Sequence, residues 1–281
     1  MLTFKSLRDL CADIQLKLLP QLPRDISTVY GIPRSGMIPA GIIATALGAR
    51  LGVVGGGPFF GSRLKHKVLP EGGKLLLVDD SMHTGKAMLA ASLALGMDMV
   101  VDYRCAVYAH SISLSNVDFY AEVLDGGRIF QWNFTGIKAT ENYCWDLDGV
   151  ICTNPTVYDD DGDSYETQIL NDVRPLYLPQ VKVKAIVTNR IERWRPGTEA
   201  WLSRYGVQYG QLIMQPWRTA AERRANSRPE EFKAKHLREL DATAFIESHD
   251  DQAKKIAALS RRPVLSIESM QLFDGAALSC C

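Results

Sequence analysis

Apolar residues follow two rhythms along this chain: short unbroken runs, and stretches spaced three and four apart. Leu7, Leu10, Cys11, Ile14, Leu16 and Leu18 predict a helix over 5–19, halted near Pro20. Residues 27–32 read as a short buried strand, the turn Pro33-Arg34-Ser35-Gly36 follows, and 38–48 are helical. A strand over 75–78, a helix from about Gly85 and a strand near 99–108 continue the series. A second series opens at Tyr143, with strands over 143–147, 185–188, 211–214, 243–247 and 263–267. Helices carrying Trp201 and Leu202, then spanning 230–240 and 251–259, lie between them. Strands alternating with helices predict mostly parallel sheets.

Two stretches break the rhythm. Residues 55–73 are glycine-rich with Arg63, Lys65 and Lys67 between, which predicts a mobile loop. Residues 111–138 lack the helical period but hold Phe119, Tyr120, Phe130, Trp132 and Phe134, which predicts a small flap over a sheet edge. With 281 residues the chain can hold two ordinary domains. The expected architecture is α/β, two domains over 1–138 and 139–281, each a mostly parallel sheet with flanking helices.

Composition narrows the function classes. The 32 basic and 32 acidic residues balance, so no global basic excess points to nucleic acid. No apolar run approaches the roughly 18 residues of a membrane span, and the expected compartment is the cytoplasm. Cys11, Cys105, Cys144 and Cys152 sit in apolar contexts and read as reduced core thiols, and Cys280-Cys281 as a tail without a role. The acidic run 159–163 imitates a calcium loop but has Leu170 where the closing Glu belongs, so it reads as a solvated turn.

The run Leu75-Leu76-Leu77-Val78 ends in Asp79-Asp80 and turns through His83-Thr84-Gly85-Lys86 into a helix. A buried strand delivers such acids to the carboxyl edge of the sheet, where open α/β folds bind ligands. The carboxylates suit ribose hydroxyls or hydrated Mg²⁺, and the amides of the helix start suit a phosphate. With the upstream Tyr30-Gly31-Ile32-Pro33-Arg34-Ser35-Gly36, this segment resembles the type I phosphoribosyltransferase family, over roughly residues 25–132, nearest its purine-salvage branch. The resemblance implies that Arg34, Ser35 and Gly36 bind the pyrophosphate of phosphoribosyl pyrophosphate (PRPP). It implies that His83, Thr84, Gly85 and Lys86 hold its 5′-phosphate and that loop 55–73 closes over the site, with Asp79 and Asp80 left for its ribose hydroxyls or for Mg²⁺. Phe130 and Trp132 are candidates for stacking on the base. His83 stands where many relatives have an acid, as a candidate general base or a plain loop residue. Residues 107–110 hold no lysine to read a 6-oxo group.

The second strand-end pair is Asp146-Leu147-Asp148-Gly149-Val150. It resembles the first motif of the haloacid dehalogenase (HAD) superfamily, and the match runs over residues 143–270. The resemblance implies that Asp146 attacks phosphorus and that Asp148 serves as general acid and base. Thr188 would hold the transferring phosphoryl group. Lys233, with Lys235 as alternative, would neutralise the aspartate–phosphoryl charge. Asp146, Asp148, Glu247, Asp250 and Asp251 are the candidate ligands of Mg²⁺, with Glu247 and Asp251 the best match to the acidic pair. The gaps from Asp148 to Thr188 and from Thr188 to Lys233 are too short for a large lid. The site is therefore expected to be open, or covered by the other domain or by a second copy in a homo-oligomer. Arg190, Arg193 and Arg195 are candidates for gripping a nucleotide phosphate.

Together these imply an enzyme that joins a nucleobase to PRPP and hydrolyses a phosphomonoester, in the first instance the nucleotide just made. Two alternatives stand beside it. One is a salvage transferase whose phosphatase acts elsewhere, for example on a polynucleotide end; the other is a PRPP- or nucleotide-sensing regulator of the phosphatase.

Overall fold

The computed structural model describes residues 2–55, 58–59, 72–95, 99–156 and 163–275. The chain divides into two units, Met1–Trp132 and Asn133–Cys281. The division falls slightly before the expected boundary. Phe134 stacks on Trp145 and the Thr135 carbonyl takes the Gln180 amide at 2.8 Å, which places 133–138 with the second unit.

In the first unit, β1 (Leu2–Lys5) leads into α1 (Leu7–Asp13), which widens to a π-helical turn over Ile14–Leu18. Then follow β2 (Ile26–Gly31), α2 (Met37–Leu47), β3 (Arg50–Val53), β4 (Pro58–Phe59) and β5 (Lys74–Met82). The unit ends with α3 (Lys86–Ala94), β6 (Tyr103–Ala109), β7 (Phe119–Val123) and β8 (Gly127–Phe130). The sheet order is β4-β3-β2-β5-β6-β7, parallel except for the β3–β4 pair. β5 has a core on both faces, which is why it reads as an unbroken apolar run. Leu76 and Val78 join Leu10, Ile14 and Ile43, whereas Leu75 and Leu77 join Met88 and Ala91.

The expected flap does not form. Phe119 and Tyr120 belong to the edge strand β7, and β8 pairs with β1 in a separate two-stranded ribbon.

The second unit runs β9 (Tyr143–Trp145), α4 (Asp163–Asn171), β10 (Val183–Ile191), α5 (Arg195–Arg204) and β11 (Tyr209–Gln215). It continues through α6 (Ala220–Asn226), α7 (Pro229–Glu239), β12 (Ala244–Glu247), α8 (Asp250–Ser260), β13 (Val264–Ser266) and β14 (Gln271–Phe273). The order is β11-β10-β9-β12-β13-β14, antiparallel only at β13–β14. Ala234 and Leu237 of α7 and Ala253 and Ile256 of α8 pack on Cys144, Val187 and Phe245. β9 is central in the order, so Asp146 emerges at the middle of the carboxyl edge.

Among the described residues no helix is long and apolar enough to cross a membrane. Cys105, Cys144 and Cys152 are buried free thiols as expected, but Cys11 is exposed, on the outer side of α1. The expected closing loop 55–73 and acidic loop 158–163 lie largely outside the described residues, and Cys280-Cys281 entirely so.

Candidate active sites

In the first unit β5 extends past the predicted 75–78 and carries both acids within the strand. Asp79 and Asp80 are buried, and the Asp80 amide donates to Asp79 Oδ1 at 2.9 Å. Burial, and then the neighbouring Asp80 charge, pushes the Asp79 carboxyl up to about 8.

The loop after β2, with a cis Pro33–Arg34 peptide, lies directly against this strand end. A Cβ on Gly36 would meet the Ile32 and Val78 carbonyl oxygens at 2.6 and 2.8 Å and Asp79 Cα at 3.0 Å. A glycine is therefore required for the loop to sit on the acids. Arg34 is exposed, as are His83, Thr84 and Lys86 in the turn entering α3. The structure thus brings Arg34–Gly36, Asp79, Asp80 and 83–86 to one sheet edge.

The aromatic candidates fall differently. Phe130 is only 4% exposed and packs against both Tyr108 and Trp132, with ring centroids at 5.3 and 4.9 Å, and those two rings lie 6.3 Å from each other. It is a buried ring of the core cluster with almost no surface left for a base, which corrects the stacking expectation. Trp132 is partly buried, and its indole Nε1 donates to Asp80 Oδ2 at 2.7 Å. Its polar edge is thus spent on an acid of the site. Tyr108 anchors the stack from β6, donating to Asp13 Oδ2 at 2.9 Å, and Asp13 also takes Lys5 and Lys17. None of these partners is visible in the residue pattern, because they come from opposite ends of the unit.

In the second unit a cavity of about 260 Å³ is lined by Asp146, Asp148, Thr188, Lys233 and Ser248, among others. Lys233 Nζ sits 2.8 Å from Asp146 Oδ2 and 2.8 Å from Glu247 Oε2, and all three side chains are buried. Burial alone would strip the lysine of its proton, but Asp146 and then Glu247 hold it charged above the usual lysine range. Burial also opposes ionisation of Glu247, yet Lys233 outweighs it and keeps that carboxyl below the usual range. Asp146 is driven well above the usual range by burial, and then by Glu247, against the pull of Lys233.

Lys235, the alternative, points away from Asp146: it is 61% exposed and faces Glu239 at 3.7 Å. Gly149, at φ +79°, turns the chain where a Cβ would come within 2.7 Å of Ser248 Cβ.

Three expectations are corrected here. Asp250 accepts from Ser269 Oγ at 2.6 Å, and Asp251 is 93% exposed near Lys254. Neither lines the cavity, because α8 begins at Asp250 and carries both away from Asp146. Glu247 does not line the cavity either, and its oxygens bind Lys233 and the Ser248 amide. Arg190 does not wait for a nucleotide: its Nη2 and Nε bind the two oxygens of Asp148 at 2.6 and 3.0 Å. Arg195 pairs with Glu192 and Glu199, and Arg193 lies over the Trp194 ring. Among the described residues no three His, Cys, Asp or Glu side chains gather as a metal cage.

The charges nonetheless fit a divalent cation. Asp148 and Glu247 balance Arg190 and Lys233, so no cation among these groups remains for an ionised Asp146 or for a phosphate dianion. Mg²⁺ is commonly held by one or two carboxylates together with substrate phosphate. Asp146, which lines the cavity, would hold it in exchange for one of its present partners, the Leu147 amide on Oδ1 or Lys233 on Oδ2, each at 2.8 Å, with the Ser248 hydroxyl 3.5 Å away.

No protein-family model and no curated protein matches the chain. Among solved structures it is similar to a purine phosphoribosyltransferase from Pyrococcus horikoshii Ot3, at 19% identity, covering 47% of this chain and 93% of that one with a TM-score of 0.36. The xanthine-guanine-hypoxanthine phosphoribosyltransferase of Helicobacter pylori matches at 14% identity over 47% and 93%, with a TM-score of 0.37. The orotate phosphoribosyltransferase of Aeropyrum pernix matches at 19% over 41% and 68%, with a TM-score of 0.29.

Proposed function

We propose that the chain is a two-domain enzyme of nucleotide metabolism. Its first unit transfers phosphoribosyl from PRPP to a nucleobase, releasing pyrophosphate, and its second unit hydrolyses a phosphomonoester. The observation that carries this reading is the Asp146–Lys233–Glu247 triad in the same chain as a second strand-end pair, Asp79–Asp80, against which Gly36 packs.

In the first unit Asp79 and Asp80 hold the ribose hydroxyls and the amides at the start of α3 hold the 5′-phosphate. The Arg34–Gly36 loop holds the pyrophosphate as it leaves. In the second unit Asp146 is the nucleophile, Lys233 offsets charge on the attacked phosphoryl group, and the Thr188 hydroxyl orients it. Asp148, fixed by Arg190, is the group placed to handle the leaving-group proton. Mg²⁺ beside Asp146 would supply charge neutralisation for the phosphoryl group.

The test is product analysis with Mg²⁺, PRPP and a panel of bases. The whole chain should yield nucleoside, pyrophosphate and phosphate. Asp146→Asn should stop at the nucleotide, and Asp79→Asn/Asp80→Asn should make none while still hydrolysing added nucleotide. Nucleotide from the wild type with no nucleoside would remove the sequential pairing. An absence of both products would leave nucleotide sensing as the better account.

A further inference from the structure

Arg128 on β8 is half-buried at the same strand end as the paired acids of the first unit. Its Nη1 donates to the Met82 carbonyl at 3.4 Å, and that oxygen also takes the His110 amide at 2.9 Å. His83 follows Met82 and sets its ring edge-on to His110, with centroids 4.4 Å apart. Burial lowers the proton affinity of the guanidinium, against a weaker opposing pull from Asp80 and Asp125, and neither acid forms an ion pair with it. Among the described residues the long bond to Met82 is the hydrogen bond that the Arg128 side chain makes. A guanidinium carries five N–H donors in a fixed fork, so most of its capacity is left for a ligand.

The side from which Arg128 approaches gives it a role. The Arg34–Gly36 loop follows β2, which flanks β5 on one side. The Phe130–Trp132 rings stack on Tyr108 of β6, which flanks β5 on the other. Displacement at an anomeric carbon brings the attacking nitrogen in opposite the leaving pyrophosphate. The base therefore arrives from the β6 side, where β8 presents Arg128.

We propose that Arg128 selects the acceptor, taking a nucleobase with an exocyclic carbonyl oxygen and rejecting one with an amino group there. This rests on the phosphoribosyl-transfer reading above. A carbonyl accepts from the guanidinium fork, whereas an amino group sets donor against donor and leaves both unpaired. Residues 107–110 supply no lysine for the task, and Arg128 comes from a different strand.

The experiment uses the whole chain with Mg²⁺ and PRPP, and compares kcat/KM for hypoxanthine and adenine. Wild type should favour hypoxanthine by about 10²-fold or more. Arg128→Gln should shrink that ratio at least about tenfold through the KM of the base, with the KM of PRPP unchanged, and Arg128→Lys should keep part of the preference. Calorimetry of inosine and adenosine 5′-monophosphates, in an Asp146→Asn background, gives the same comparison without turnover. A preference for adenine, or a ratio that Arg128→Gln leaves in place, overturns the proposal. Loss of Mg-PRPP binding by the wild type itself would instead strike the transferase reading, and this inference with it.

Discussion

Trp132 Nε1 lies 2.7 Å from Asp80 Oδ2, so an indole from the last residue of the first unit holds an acid at the centre of its sheet. A charge-assisted hydrogen bond of this kind contributes about 1.5–3 kcal/mol. Trp132→Phe keeps the stack on Phe130 and removes the donor. Mg-PRPP affinity should fall by about 10- to 100-fold, and an undiminished affinity by calorimetry would show that Asp80 is placed by something else.

Asp79 makes the donor site sensitive to pH. Its carboxyl is raised to about 8 in the folded chain, against about 3.9 unfolded. A raised group contributes its stability in full below the unfolded value and loses it as pH rises through the folded one. The ligand-free wild type should therefore lose Tm relative to Asp79→Asn between about pH 4 and pH 8, with the gap constant above that range. Parallel melting curves for the two proteins across this range would refute the assignment.

Lys233 holds two buried carboxylates apart in charge. Removing one member of such a group costs about 3–5 kcal/mol, because the rest stay buried and unpaired. Lys233→Met should show this loss in urea unfolding of the second unit and abolish phosphate release. Lys235→Ala, altering an exposed side chain, should change neither by a measurable amount.

Asp251 is exposed and away from the cavity, so Asp251→Asn should leave phosphate release within about twofold of wild type, whereas Asp146→Asn abolishes it. A collapse on Asp251→Asn would mean that the start of α8 turns inward when substrate binds.

His83 can take a proton from the base only if its ring reaches the acceptor. General-base contributions run about 10²–10⁴-fold, so His83→Ala should lower kcat by that order with PRPP affinity little changed. A loss below about threefold would make it a plain turn residue.

The inner strands of both sheets were legible because doubly covered strands are continuous apolar runs, and Leu75–Val78 and Ala185–Val187 needed no context to be read, whereas the short strands β3, β4, β7 and β14 toward the margins were missed. Position along the chain also identified Lys233, since a buried lysine fits the first turns of α7 better than Lys235. What could not be read were the pairings across distance. Arg190 looked like a free cation because Asp148, its partner, sits on another strand end. Phe130 looked available because nothing near it in sequence reveals that Tyr108 lies beneath it. Asp250 and Asp251 were misplaced because the helix start at Asp250 decides which way they face, and adjacent acids read alike in a string of letters.

The pairing of Leu2–Lys5 with Gly127–Phe130 has a consequence for how the protein is made. The first strand leaves the ribosome early and must wait for a partner that follows nearly the whole length of the unit later. Contacts that far apart in sequence close late in folding. Until they close, the stack on Tyr108 alone places Phe130 and the Trp132 indole beside Asp80. The Trp132–Asp80 bond therefore cannot form until the whole first unit has been made: copies cut short after β5 would carry both acids without the indole that holds Asp80.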